Sequence, residues 1–234
     1  MGQVLLVDGG DTIIDPKASE VIDSRQITEV AHALAAMRYD AIAAGEGELL
    51  ADRLPGNDWA GVVGAPVLGA NLRDREGRPP HVPCVSKSVG GVRVVVIGAL
   101  SPQVASAATS AGSVAQVDPI GVSLGRLLEQ VRPEADLVVL LLHGTLDEGR
   151  ELAAELEGID VIVVGHHGLL AGPSTTVGGT LLVQVGSEGK YVGRLKLRVD
   201  ETGQAALLEE EQVLMTQDIP EDPTVASLLE LGSR

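Results

Sequence analysis

Six short runs of Val, Ile, Leu and Ala do most to restrict what this chain can fold into. None of them alternates apolar with polar residues, and that pattern is typical of strands covered on both faces. A sheet built from such strands needs a layer of structure on each side. The runs are "VLLVD" (4–8), "DAIAAG" (40–45), "PVLGAN" (66–71), "VRVVVIGAL" (92–100), "DLVVLLLH" (136–143) and "DVIVVGH" (160–166).

Helical segments lie between several of these runs. In segment 24–38, Ile27 and Leu34 fall on the same face at helical spacing, and other apolar residues lie between them. Segments 121–132 and 147–158 show a similar spacing. The alternation of buried strands with amphipathic helices predicts the α/β class.

The C-terminal part of the chain has a different pattern. From Gly178 onward, runs typical of strands are separated by turns rich in Gly or containing Asp, which predicts consecutive antiparallel strands. A mixed architecture is therefore favoured over a purely parallel sheet. We predict one domain over residues 1–215, followed by a C-terminal tail over 216–234 that contains a short helix.

Charge and composition exclude several classes of partner. The formal net charge of -16 disfavours nucleic acid and anionic membranes, and aromatic residues make up only 1% of the chain, so platforms for stacked bases are scarce. No apolar run reaches membrane-spanning length and no signal peptide is visible, so we expect a soluble chain. Cys84 is the only cysteine, which excludes an intrachain disulfide and leaves the compartment undetermined.

Polar residues able to bind a metal follow several of the strand-like runs. In α/β proteins the loops at the carboxyl ends of strands converge on a crevice, and carboxylates and imidazoles gathered there suit Zn, Mn or Fe. Each residue also has an ordinary structural interpretation, because Asp often caps a turn or helix and a single His is often a satisfied core residue. The candidates at these run ends are Asp8, Asp11, Glu46, Asn71, His143 and His166.

The order of these runs resembles the N-terminal domain of the 5'-nucleotidase family, within the calcineurin-like metallophosphoesterases. The resemblance covers most of residues 4–199. It implies a four-layer αββα sandwich with two mixed β-sheets, two metal ions and hydrolysis of phosphate esters by a metal-activated water. The matching stretches are "LLVDGGDTI" (5–13), "RYDAIAAGEGEL" (38–49), "PVLGANLRD" (66–74), "GGVRVVVIGALSP" (90–102), "DLVVLLLHGTLDEGRELAAELEGIDVIVVGHHG" (136–168) and "GGTLLVQVGSEGKYVGRLKL" (178–197).

Four residues of this chain stand at the positions of the residues that bind the family's second metal ion. Asp11 matches the aspartate that bridges both ions, and His143 and His166 match two histidine ligands. Glu46 stands where the family has an asparagine ligand. The resemblance therefore implies that these four residues bind one divalent metal ion, Zn, Mn or Fe.

Other family positions are changed in this chain. Gly47 stands where the family has the histidine that assists departure of the leaving group, and Gly168 stands where it has a ligand of the first ion. The family's opening Asp-x-His strand would precede the first residue given. Glu48 is interpreted as a charge in the first turn of a helix, favourable at the positive end of the helix dipole.

These changes predict a degenerate domain with no retained catalytic residue, a pseudoenzyme that acts as a binding or assembly module and retains one divalent metal. The alternative is a mononuclear metal-dependent phosphoester hydrolase, with a phosphate ester as substrate. A sheet edge without the family's first strand predicts a homo-oligomer or a protein partner at that edge. Relatives in this family are often exported, but the sequence does not specify a location for this chain.

Overall fold

The computed structural model describes residues 4–16, 24–54, 58–105, 116–166, 172–186, 189–200 and 203–230. Its helices are α1 (Ser24–Met37), α2 (Glu46–Ala51), α3 (Trp59–Val63), α4 (Ile120–Val131), α5 (Leu146–Glu155) and α6 (Pro223–Glu230), with a 3-10 turn at Arg132–Glu134. None of the helices in these ranges is long and apolar enough to cross a membrane.

Strands are interspersed with the helices through the first two thirds of the described residues. They are β1 (Val7–Asp8), β2 (Ala41–Ala43), β3 (Val67–Leu68), β4 (Leu72–Arg73), β5 (Cys84–Val89), β6 (Val92–Leu100), β7 (Gln116–Val117), β8 (Leu137–His143), β9 (Val161–Val164), β10 (Thr175–Val177), β11 (Thr180–Gln184), β12 (Tyr191–Val199) and β13 (Ala205–Leu214).

Two sheets form the centre of the fold. The larger has six strands in the order β10-β11-β9-β8-β6-β5, and its four inner strands run parallel while β10 and β5 pair antiparallel at the edges. The smaller has three parallel strands in the order β1-β2-β3. Two antiparallel pairs, β12–β13 and β4–β7, complete the described strands.

The two sheets pack face to face, and helices cover their outer faces. Ala41, Ala43 and Leu68 of the smaller sheet share one buried cluster with residues of β6 and β8, such as Val96 and Leu141. The first three helices cover the outer face of the smaller sheet, and α4 and α5 cover that of the larger. This arrangement has the expected four layers, and the predicted α/β fold class is confirmed.

Small residues let the sheets approach closely. A Cβ added at Gly98 of β6 would lie 2.5 Å from the carbonyl oxygen of Leu68 in β3, so only glycine fits there. The sequence contains no Phe, and its one tryptophan, Trp59, is fully buried with its indole N–H donated to Asp52. Aliphatic side chains therefore fill most of the core.

The predicted elements agree with the structure in kind but differ in the pairing of one strand. The strand predicted after Gly178, β11, does not pair with its successor β12, because it lies inside the larger sheet between β9, with which it is parallel, and β10, with which it is antiparallel. Only β12 and β13 form the predicted consecutive antiparallel pair. The helix expected in the tail is α6, and it contacts α1.

Candidate metal centre

The four predicted ligands lie together where loops from both sheets meet. Asp11 follows β1, Glu46 begins α2 after β2, His143 ends β8, and His166 follows β9. One ligand atom of each residue lies within 4.8 Å of those of the other three. The site therefore joins the carboxyl ends of strands from two sheets, as expected for loops that converge at one side of an α/β fold.

His143 is held with one ring nitrogen directed at this cluster. Its side chain is fully buried, and Nδ1 lies 2.7 Å from the carbonyl oxygen of Gly9, so Nδ1–H donates to that oxygen. Its Nε2 lies 2.9 Å from Glu46 Oε2 and 3.4 Å from Asp11 Oδ2. A carbonyl oxygen only accepts, so the neutral imidazole keeps its lone pair on Nε2, where a metal would bind.

His166 completes the imidazole pair from the other side of the cluster. Its Nδ1 lies 3.1 Å from Glu46 Oε2 and 3.2 Å from His143 Nε2. The backbone at His166 is left-handed, with φ of 65°, which is uncommon for a residue with a side chain. This turn directly after β9 orients the ring toward the other ligands.

The two carboxylates are partly reachable from solvent. The side chains of Asp11 and Glu46 are 19% and 12% exposed. Asp11 also has a left-handed backbone, with φ of 61°, and its Oδ1 accepts a hydrogen bond of 2.8 Å from the Gly47 N–H. That bond leaves Oδ2 as the oxygen facing His143.

Glycines allow the loops to come this close. A Cβ at Gly45 would lie 2.5 Å from Asp11 Oδ1 and 2.8 Å from Cε1 of His143. A Cβ at Gly165 would lie 2.3 Å from the carbonyl oxygen of Gly9, the same oxygen that binds His143. Side chains at either position would separate the loops and disperse the cluster.

The electrostatics of the cluster favour a positive charge at its centre. Burial lowers the pKa of His143, but hydrogen bonds with Asp11 and Glu46 outweigh burial and raise the pKa to about 10. Burial raises the pKa of Asp11, but its interaction with His143 outweighs this and holds the pKa below the ordinary value. In the metal-free protein a proton therefore supplies the positive charge between the carboxylates.

The donor set fits a single divalent ion. Two carboxylates and two imidazoles are ligands that Zn, Mn and Fe accept, and the two negative charges match one divalent cation. Binding would displace the proton from His143 Nε2, so affinity should rise with pH.

Glu48 does more than its sequence position indicates. It lies in the first turn of α2, as predicted, and its carboxylate accepts the Gly45 N–H as in a capping box. It is also fully buried and binds the backbone of the loop that carries Asp11. The Glu at the third helical position is a sequence signal for the cap, but no local pattern indicates the second loop.

The remaining polar residues at strand ends have structural roles. Asp8 accepts hydrogen bonds from the Gly10 N–H and the Thr12 hydroxyl, and burial raises the pKa of Asp8. The Asn71 side chain is fully buried and joins the backbone of Leu100 to that of Asp118. Residues 167 and 168, the second histidine and the following glycine of the His-His-Gly stretch, lie outside the described residues.

Sequence similarity relates this chain to proteins named 5'-nucleotidase. The 5'-nucleotidase of Bos taurus is 26% identical over 251 residues, covering 95% of this chain and 42% of that protein. The chain thus spans about two fifths of the length of such a relative. No protein-family model matches the sequence.

Similarity of fold extends to solved structures. The sulfate thiohydrolase SoxB of Thermus thermophilus has a TM-score of 0.80 at 23% identity, over 97% of this chain and 42% of that one. The calcineurin-like phosphoesterase YfkN of Bacillus subtilis has a TM-score of 0.72 at 24% identity, over 98% of this chain and 82% of that one. This chain is therefore a homologue of the 5'-nucleotidases and has the fold of the calcineurin-like phosphoesterases.

Proposed function

We propose that this domain binds one divalent metal ion through Asp11, Glu46, His143 and His166, and that it acts as a binding or assembly module with little phosphatase activity. The observation that carries the proposal is the cluster itself, because the four ligand atoms lie within 4.8 Å of one another. A bound ion of this kind polarises oxygen ligands as a Lewis acid.

The surroundings of Gly47 argue against efficient ester hydrolysis. In the family that this chain resembles, a histidine at this position assists departure of the leaving group. Glycine has no side chain and cannot donate a proton. A Cβ at Gly47 would lie 2.1 Å from the carbonyl oxygen of Ile14. The backbone of the loop after β1 therefore occupies the space that any side chain at position 47 would need.

The charge of the loaded site supports the same proposal. Asp11 and Glu46 contribute two negative charges, so one divalent ion brings the ligand set to neutrality. A phosphate ester dianion gains less from a neutral site than from a positive one, because Coulomb attraction scales with net charge. The carboxylate of Glu46, in place of the family's amide, thus favours cation binding over phosphate binding.

A mononuclear phosphoester hydrolase is the second candidate, and solvent access to the cluster favours it. The side chains of Asp11 and His166 are 19% and 20% exposed, so a small ligand can reach the site. Relatives named 5'-nucleotidase make a phosphate ester the substrate class to test.

Metal content and turnover together test the proposal. Protein purified without chelator is analysed for Zn, Mn and Fe, and its melting temperature is measured with millimolar Mn²⁺ or Zn²⁺ after chelator treatment. The same samples are assayed on a generic phosphate monoester and diester. We expect one bound ion per chain, a higher melting temperature and near-background turnover. An unchanged melting curve argues against metal binding, and turnover at ordinary enzyme rates establishes the hydrolase instead.

A further inference from the structure

Glu48 links two loops through backbone hydrogen bonds alone. Its Oε2 accepts the N–H groups of Asp11 and Gly45, both at 2.8 Å. Its Oε1 accepts those of Thr12 and Ile13, at 2.9 and 3.2 Å. Both oxygens of a fully buried carboxylate are thus used by backbone donors, and such charge-assisted bonds are stronger than neutral ones.

These donors belong to the loops that carry two of the proposed ligands. Asp11 is itself a donor to Glu48, and Gly45 immediately precedes Glu46. Asp11 has φ of 61°, a left-handed conformation that is unfavourable for a residue with a side chain and persists where surrounding contacts impose it. The three consecutive N–H groups bound by Glu48 start at this residue, so Glu48 supplies those contacts.

The Asp11 side chain is fixed by the same local structure. Its Oδ1 accepts the N–H of Gly47, the residue that precedes Glu48 in the first turn of α2. Asp11 is therefore held at its backbone by Glu48 and at its carboxylate by Gly47. The other oxygen, Oδ2, lies 3.4 Å from His143 Nε2.

We infer that Glu48 is a positioning residue for the metal centre, and this inference rests on the proposed function. Glu48 binds no metal itself. It holds the loop over residues 11–13 against the start of α2, so that the carboxylates of Asp11 and Glu46 face the two histidines at one point.

The test compares Glu48→Gln with Glu148→Gln. Glu148 has the corresponding place in α5, where its carboxylate accepts the Thr145 N–H and hydroxyl in a capping box. Each variant loses a carboxylate cap, but Glu48 binds the backbone N–H of the proposed ligand Asp11 itself, whereas Glu148 binds Thr145, two residues after His143, and the Ser101 hydroxyl. Affinity for Co²⁺ is measured by titration of the full chain, and the visible absorption of the bound Co²⁺ reports its coordination.

We expect Glu48→Gln to raise the dissociation constant for Co²⁺ by ~10–100-fold and to change the absorption spectrum. Glu148→Gln should bind Co²⁺ as the parent does. If Glu48→Gln does not fold, Glu48→Asp keeps the charge but shortens the side chain, and it should show a smaller change in the same direction. A folded Glu48 variant with the parent's affinity and spectrum overturns the inference.

Hydrogen exchange in the metal-free protein separates this inference from the proposed function. Replacing Glu48 with Gln should increase amide exchange at residues 11–13, whereas Glu148→Gln should leave that loop protected. If the parent binds no Co²⁺, the proposed function fails, and the exchange rates still decide whether Glu48 holds the loop. Unchanged exchange in Glu48→Gln overturns the positioning role in either case.

Discussion

At the scale of single residues, the four cluster side chains should contribute unequally to metal binding. His143 is the most buried of them, and its tautomer is set by Gly9, whereas Glu46 can be replaced by an amide that still offers an oxygen. We expect His143→Ala to abolish the rise in melting temperature with Mn²⁺ or Zn²⁺, and Glu46→Gln to weaken it. Ligand binding to the folded state stabilises by about 2.7 kcal/mol at 100 times the dissociation constant.

Two other histidines provide controls for this prediction. His32 lies exposed on α1, away from the cluster, so His32→Ala should keep the full metal-induced shift. The resemblance implies that His167 is no ligand, and His167→Ala should also change little. Each variant is compared with its own metal-free form by differential scanning fluorimetry. A metal-induced shift retained in His143→Ala would contradict the assigned ligand set.

Gly47 should not tolerate any side chain. The predicted Cβ position lies 2.1 Å from a backbone oxygen of Ile14, and backbone cannot move aside as the end of a flexible side chain can. We expect Gly47→Ala to destabilise the fold by ~1–3 kcal/mol, as overpacking does. Gly47→His should be worse and should restore no hydrolysis. Urea unfolding of each variant measures the change.

The matched control is a glycine inside a helix with open space around it. Gly125 of α4 has nothing within 4 Å of its predicted Cβ. Gly125→Ala should therefore be neutral or stabilising by up to ~1 kcal/mol, since alanine is the better helix former. Similar effects at both positions would show that the contact with Ile14 does not restrict Gly47.

At the scale of secondary-structure elements, a residue in the connection between α1 and β2 should make the free energy of unfolding fall as the pH rises through the alkaline range. Burial, with a smaller contribution from the charge of Asp8, raises the pKa of Tyr39 to about 12. The unfolded chain ionises this tyrosine near pH 10. The contribution of neutral Tyr39 to stability is therefore complete below about pH 10 and is lost as the pH rises through 12.

Tyr39→Phe isolates this effect, because the sequence has only one other tyrosine, Tyr191. The free energy of unfolding in urea should fall less between pH 9.5 and pH 11.5 in Tyr39→Phe than in the parent, by a part of the ~1.4 kcal/mol that each unit of pKa difference represents. Tyr191→Phe should follow the parent. Equal losses in all three proteins would rule out a raised pKa at Tyr39.

At the scale of the whole molecule, the smaller sheet suggests a route to self-association. Its outer strand β1 pairs only with β2 among the described strands, and Val4 just before it is 73% exposed. Unpaired strand edges and exposed apolar residues favour association. We therefore predict a homo-oligomer through this edge, to be measured by light scattering across a wide concentration range.

Val4→Lys should weaken that association, because charged residues at sheet edges oppose pairing with another chain. Val122→Lys is the control, since Val122 is similarly exposed on α4, at 58%, but lies outside the smaller sheet. A monomer at every concentration in the parent would contradict the prediction.

The sequence alone determined the class of the fold and the composition of the site. Apolar runs without alternation indicate strands buried on both faces, and apolar residues at helical spacing indicate the helices that cover them. Whether an element is buried on one face or on both determines which of its positions are apolar, so the sequence shows it directly. Strand ends indicated six candidates, and the family resemblance selected the four cluster residues among them. Each of these features is local, or follows from the order of local features in a resemblance that covers most of the chain.

Only the tertiary structure decided which groups act on one another. The sequence of strand β11 resembles that of the strands after it, yet β11 pairs parallel with β9. Which strand lies beside it is decided by the packing of the whole sheet. By its sequence position, Glu48 is an ordinary acidic residue in the first turn of a helix. Its carboxylate nevertheless accepts hydrogen bonds from backbone N–H groups more than 30 residues away. These contacts form between loops of two sheets once the sheets have packed. No periodic pattern in the sequence indicates which backbone groups will then lie close together.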